Sequence, residues 1–392
     1  MFNSINEAKT KYGLMDFLKI RCSTILLCII LIMLPVDAAM GDIIGSVSII
    51  NYFILTYYGF RIFDISKEKK IRLYFCSIWV AFFGIYMFST YIWSDWNNPS
   101  LFYALSLLNG LGLFYFNFIN SYSEKELYYI NRSIMLSFYV VIIFIAMNIM
   151  QLGFDNMAQN SRMSLQVGRS FDQNFFVASL SMIVAFLMYD YLKFKNIVSL
   201  IKVCLLFAVG LILGSRGGLL CLILVAISEV VMLRKIKLYN FILCGIVLSV
   251  LIYFMPENFF ERFSYESIIQ SRGTGRFDIW YQAISSLLES SLFRVIFGFG
   301  LGEFGYVIPH VGMHVAHNSF ISILIEGGIV GLLLFITVLF NCFYLAKKNN
   351  NIRIIAAMLG MIVACLSLDI YVIRTFWVVL GFSLIDLNQK CG

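Results

Sequence analysis

The three histidines of the chain lie in one short stretch, Pro309-His310-Val311-Gly312-Met313-His314-Val315-Ala316-His317-Asn318. Imidazole is the side chain that titrates near neutrality unaided, so the cluster suits proton transfer. A metal would want three or four ligands fixed in space. The spacings here would allow that only on a helix, and Pro309 and Gly312 argue against one. His310 and His314 fall in a loop, whereas His317 and Asn318 stand at the mouth of a long apolar helix and are held there. His317 is therefore the candidate for proton transfer, with capping or loop packing as the plain alternative. No metal is expected.

Two arginines supply the complementary charge. Gly214-Ser215-Arg216-Gly217-Gly218 breaks an apolar run that would otherwise join two spans, and its glycines let backbone approach a ligand closely. A cation so near hydrocarbon costs on the order of 3 kcal/mol and needs a partner. An anionic ligand would serve, and so would a neighbouring carboxylate or helix end. Thr274-Gly275-Arg276-Phe277-Asp278-Ile279-Trp280 opens an amphipathic helix on which Phe277, Trp280, Ile284 and Leu287 form an apolar stripe. Arg276 then stands at the first turn, beside free backbone N–H groups that favour an anion. The plain alternative is an interfacial helix whose arginine meets lipid phosphate.

Other motifs are weaker. Gly300-Leu301-Gly302-Glu303-Phe304-Gly305 matches GxGxxG literally, but no βαβ unit surrounds it. Gly298 to Gly305 reads as a tight turn returning the chain to the membrane. Glu326 lies about 13 Å below His317 along a helix, and is expected to be protonated or paired in a structural role. Walker, DxD and HExxH motifs are absent, which argues against a cytoplasmic nucleotide-sugar donor.

These residues need a scaffold, and composition defines it. Of 392 residues, 60% are hydrophobic and 13% charged, where a soluble domain carries roughly a quarter charged. The apolar residues come in blocks of the length that crosses about 30 Å of hydrocarbon as a helix. The expected fold is an all-α polytopic bundle of about twelve spans, near 22–38, 43–60, 73–92, 101–119, 133–152, 174–192, 197–213, 217–233, 238–255, 318–345, 351–368 and 371–388. It forms a single transmembrane domain over 1–392, with a large outer loop over 256–317 carrying the amphipathic helix. The first span reads as retained rather than as a cleaved signal. The nine cysteines read as small packed side chains, without a disulfide framework.

With both ends inside, most Lys and Arg fall on the cytoplasmic side, as positive charge in membrane proteins does. Arg162, Arg169, Arg216, Arg262, Arg272, Arg276, Arg294 and Arg374 fall outside, with none of the 15 lysines. Arginine pairs two-to-two with carboxylate or phosphate, whereas lysine is a mobile point charge. The outer face therefore suggests a site for a phosphorylated or acidic ligand, although the inward bias of lysine gives part of the same pattern.

In this order, Ser215-Arg216-Gly217, Gly275-Arg276 with Trp280, and His317-Asn318 followed by Glu326-Gly327-Gly328-Ile329 resemble the bacterial O-antigen ligase/polymerase family, most strongly over 214–329. The resemblance implies a glycosyltransferase at the periplasmic face of the bacterial inner membrane. Its donor would be a glycan on undecaprenyl diphosphate. It implies that Arg216, Arg276 and His317 are catalytic, the arginines on the departing diphosphate and His317 on the acceptor hydroxyl, with inversion. Arg169, Arg272, His314 and Asn318 are expected to contact substrate, although the first outer loop, with Arg162, Arg169 and Asn174, departs from the family pattern. No metal or other cofactor is expected. Membrane lipid, a chain-length regulator and a flippase are the expected partners, and nucleic acid is not. An O-antigen polymerase is preferred. A ligase transferring the glycan to lipid A–core is the alternative, and a transporter or flippase of a lipid-linked or anionic substrate the second.

Overall fold

A computed structural model describes residues 14–40, 49–67, 74–94, 99–118, 122–152, 173–233, 275–308 and 315–385. Every regular element among them is helical. In the first half the main helices are α1 (Cys22–Met33), α2 (Ile49–Lys67), α3 (Phe75–Ser89), α4 (Pro99–Phe118), α5 (Glu124–Leu152), α6 (Gln173–Ser179), α7 (Ser181–Phe194), α8 (Ile197–Ile212) and α9 (Arg216–Leu233). Beyond lie α10 (Arg276–Glu289), α11 (Leu292–Phe297), α12 (Phe304–Val307), α13 (Ser319–Lys348), α14 (Ile352–Cys365) and α15 (Arg374–Phe382). The expected span 238–255 and the outer-loop segment 256–274 lie outside the described residues.

Among the described residues, five stretches are long and apolar enough to cross a membrane: Phe75–Ile92, Glu124–Gln151, Gln173–Phe194, Arg216–Leu233 and Ser319–Lys348. Cys22–Asp37, Ile197–Ile212 and Ile352–Cys365 are apolar but shorter. The protein is thus a helical membrane protein. An 18-residue stretch of Gln173–Phe194 is 89% buried, against 33% for Arg216–Leu233, so α6 and α7 form the axis and α9 the flank. The outer side of α9 exposes Leu220, Ile223, Ile227 and Val231, and that of α13 exposes Leu333, Ile336 and Phe340. Apolar stripes at helical spacing on the outside of a bundle suit a hydrocarbon solvent, in which their exposure costs nothing.

Helices in lipid associate through close packing at small residues rather than through a hydrophobic drive. Gly218 obeys this: a Cβ there would stand 2.5 Å from Val177 Cγ1. Gly360 does the same for α14, where a Cβ would meet Val225 Cγ2 at 2.6 Å. These contacts draw the start of α9 onto α6 and its middle onto α14.

A second, smaller apolar cluster sits at one end of the bundle. Ile279, Ala283 and Leu287 of α10 pack there with Phe304, Ile308, Ala316 and Ile325. The amphipathic helix expected at Arg276 is present, but its packed face is rotated from the expected one. Leu287 is buried and Trp280 half-buried, whereas Phe277 and Ile284 are 61% and 39% exposed. The rotation follows from two contacts that periodicity alone does not weigh. Trp280 Nε1 donates to the Ala316 carbonyl at 2.9 Å, and Ala283, fully buried, permits close approach.

The glycine turn is where it was expected, and it closes on a break in α13. Gly328 leaves the helical region with φ 63° and ψ −165°, which frees carbonyls one turn earlier. Phe299 N–H donates to the Ile325 carbonyl and Gly300 N–H to the Glu326 carbonyl, each at 2.9 Å. Gly298 and Gly328 pass back to back: a Cβ on either would come within 2.3 Å of backbone oxygen. Tyr86 adds its hydroxyl to the Gly327 carbonyl at 2.6 Å. The buried Glu326 carboxylate accepts from Tyr371 at 2.7 Å, the paired structural role expected of it.

Candidate active site

The site is assembled on the turn that joins α14 to α15. Ser319 N–H donates to the Leu368 carbonyl at 3.0 Å, Ser319 Oγ to the same oxygen at 2.7 Å, and Ile370 N–H to Ser319 Oγ at 2.8 Å. Asn318 Nδ2 reaches the Leu366 carbonyl at 3.3 Å. These bonds lock the first turn of α13 to residues 366–370. Asn318 caps α13, its Oδ1 accepting from Phe320 and Ile321 N–H at 3.0 and 3.2 Å. The cap satisfies two of the four N–H groups that a helix start leaves open. Expected as a substrate contact, Asn318 is thus seen as a cap.

His317 precedes this cap with φ 51°, in the left-handed region that a side chain with a Cβ seldom adopts. Such a conformation costs about 1–3 kcal/mol and persists only where neighbours impose it. Asp369 is one of those neighbours. It is buried, its Oδ2 accepts the His317 N–H at 2.8 Å, and Ser322 donates to its Oδ1. Burial pushes the Asp369 carboxyl above its ordinary value, while the Ser322 hydroxyl, the charge of His317 and the N–H groups of His317 and Asn318 pull it back. His317 is half-buried, with Nδ1 shielded from solvent. Asp369 escaped sequence reading because it stands in a short turn between two expected spans. The available signal was a lone carboxylate in Leu366-Ser367-Leu368-Asp369-Ile370-Tyr371.

Arg216 comes to the same turn from another side. Ser215 Oγ accepts the Gly218 N–H at 3.2 Å, capping α9, and donates to Asn174 Oδ1 at 2.9 Å. Gly217 lies against Ser367, so that a Cβ there would stand 2.9 Å from Ser367 Oγ. Arg216 is half-buried and, among the described residues, its guanidinium makes no ion pair or hydrogen bond. It also occupies the first position of α9, where the positive helix end disfavours a cation by about 0.3–1 kcal/mol.

Arg276 opens α10, preceded by Gly275 with φ 77°. The Trp280 indole, one turn on, docks on Ala316 next to His317. Arg216, Arg276 and His317 thus stand on three distant segments that meet around residues 316–318 and 366–369. Arg169, Arg272 and His314 lie outside the described residues, as do Arg162, Arg262 and His310. Two of the arginines expected on the outer face are structural. Arg374 pairs with Asp37 and Asn51, and Arg294 donates to the carbonyls of Trp93 and Phe299 at 2.8 and 3.1 Å.

Residues 200–336 match the family model described as O-antigen ligase. Over that stretch, about a third of its length, the chain is similar to the O-antigen ligase family. The matched stretch takes in Arg216, Arg276 and His317 and stops short of Asp369. The match suggests a glycosyltransferase-like membrane enzyme. No curated protein matches the chain.

Proposed function

We propose that this protein is an O-antigen polymerase, an inverting glycosyltransferase that joins undecaprenyl-diphosphate-linked repeat units at the periplasmic face of the bacterial inner membrane. Arg216 supports the reading most directly: it is a half-buried guanidinium at the positive end of α9, with no protein anion bound to it among the described residues. A diphosphate supplies the missing charge. In this reading the chain crosses the membrane about twelve times, both termini are cytoplasmic and the outer loop covers 256–317.

The donor diphosphate binds between Arg216 and Arg276, with its lipid among the helices. His317 takes the proton of an acceptor hydroxyl, whose oxygen attacks the anomeric carbon from the face opposite the diphosphate. As the C–O bond to the diphosphate breaks, negative charge grows on the leaving oxygen, and the fixed guanidinium donors stabilise it. Asp369 holds the His317 backbone through its N–H. Arg169, Arg272 and His314 are further substrate contacts in this scheme, and a flippase and a chain-length regulator are its partners.

Purified protein supplied with defined lipid-linked repeat units, with and without chelator, tests the reading: new glycosidic bonds are expected in both. Lipid-linked repeats that cross the bilayer without elongation would instead identify a flippase. The description of the matching family favours ligase as the second reading, because polymerase and ligase share the donor chemistry. A strain lacking the gene separates the two, leaving one repeat on core for a polymerase and bare core for a ligase.

A further inference from the structure

A cleft of about 400 Å³ opens between the end of α10, the glycine turn and α12, within the range of small-ligand sites, roughly 300–1,000 Å³. Ser286 and Glu289 line it from α10, Ser290 from just past its end, Phe299 and Glu303 from the turn, and Tyr306 from α12. We propose that this cleft is a saccharide subsite, which holds the glycan several sugar rings away from the bond being made. The inference rests on the glycosyl-transfer reading above and extends it to a surface that the reaction centre does not use.

The lining decides the ligand class. Two carboxylates repel phosphate, so the cleft cannot duplicate the arginine site. Each carboxylate oxygen accepts hydroxyl donors, and the serine and tyrosine hydroxyls both donate and accept. Phe299 and Tyr306 add aromatic surface for the C–H face of a sugar, and Tyr306 is 45% exposed. A neutral, hydroxyl-rich saccharide uses all of these groups.

The cleft is also built rather than incidental. Glu303 is buried and held by the Ser94 hydroxyl at 2.7 Å. The Phe299 carbonyl accepts from Arg294, whose guanidinium lies 5.3 Å from the Phe299 ring centre. Leu301 N–H is fixed on Thr90 Oγ1 at 3.0 Å. The spacing suits a chain rather than a single sugar. Ser286 and Glu289 lie about 15 and 20 Å along α10 from Arg276, at 1.5 Å per residue. A glycan of a few rings attached at the reaction centre spans that gap.

The test uses full-length protein in lipid nanodiscs and fragments of a few repeats released by mild acid from the polysaccharide of the producing cell. Such fragments carry neither lipid nor diphosphate. Saturation-transfer NMR should report binding, and Ser286→Trp, which fills the cleft, and Glu289→Gln should each raise Kd about tenfold, the loss of one or two hydrogen bonds. Arg276→Lys should bind the fragments as wild type does while making about a hundredfold less polymer. No binding by the wild-type protein, or wild-type Kd in a folded Ser286→Trp protein, overturns the subsite. If the fragments bind as expected but Arg216→Ala and His317→Ala still build chains of normal length, the subsite stands and the assigned reaction centre falls.

Discussion

Two groups of arginines in this protein have opposite surroundings. Arg21 meets Glu126 through two parallel bonds of 2.6 and 2.9 Å. Arg61, 1% exposed, donates to the Phe116 carbonyl and Tyr122 hydroxyl, with its guanidinium beside the rings of Tyr57 and Tyr122. These arginines are held on several sides by the protein, and they tie α1, α2, α4 and α5 together. Arg216 has the same burden of partial burial but, among the described residues, no protein anion or acceptor. The difference separates a cation that stabilises the fold from one kept open for a ligand. A matched buried pair adds little net stability, whereas an unmatched cation at a dry mouth binds an incoming anion strongly.

The largest test of that contrast removes the proposed reaction-centre groups. Arg216→Ala and His317→Ala should each lower polymer formation by about a thousandfold or more while leaving the melting temperature in detergent nearly unchanged. A large fall in melting temperature with normal turnover per folded molecule would move Arg216 into the structural group. Arg276→Lys should follow at about a hundredfold, because a point charge cannot reproduce a two-pronged contact with phosphate. Near-normal glycan length from that variant would count against diphosphate binding by Arg276.

Asp369→Asn sharpens the comparison within the site. It keeps the backbone acceptor for His317 and removes the charge, so kcat should fall roughly ten- to a hundredfold, as one charge-assisted bond is weakened, with KM little altered. A rise in KM with unchanged kcat would place Asp369 in substrate binding instead. The smallest effect on turnover belongs to the closed group. Arg21→Ala should lower stability by about 1–3 kcal/mol, seen as a lower melting temperature, with turnover per folded molecule within about twofold of wild type. A severalfold loss of turnover there would erase the distinction between the groups.

Much of this was legible in the residues themselves. Apolar blocks of membrane-spanning length identify helices because the hydrocarbon interior leaves backbone N–H and C=O groups few other ways to be satisfied. Gly214 to Gly218 announced a helix break, Asn318 a helix start, and Gly298 to Gly305 a tight turn, since glycine and asparagine are the residues such backbone geometry selects. Arg216, Arg276 and His317 stood out because a cation or imidazole beside hydrocarbon has to be accounted for.

Other features depended on which segments meet. The packed face of α10 was set by an indole finding a carbonyl and by Ala283 allowing close approach, contacts with residues far along the chain that no period on α10 records. Asp369 became visible as the anchor of His317 only when the turn at 366–369 closed on the start of α13. The division of the outer arginines followed the same rule. Sequence gives each one the same charge, but only the positions of Asp37, Asn51 and the Trp93 carbonyl engage Arg374 and Arg294 and leave Arg216 open. Residue type fixes what a group is able to do locally, whereas its energy in the fold depends on the distance to partners that only tertiary packing supplies.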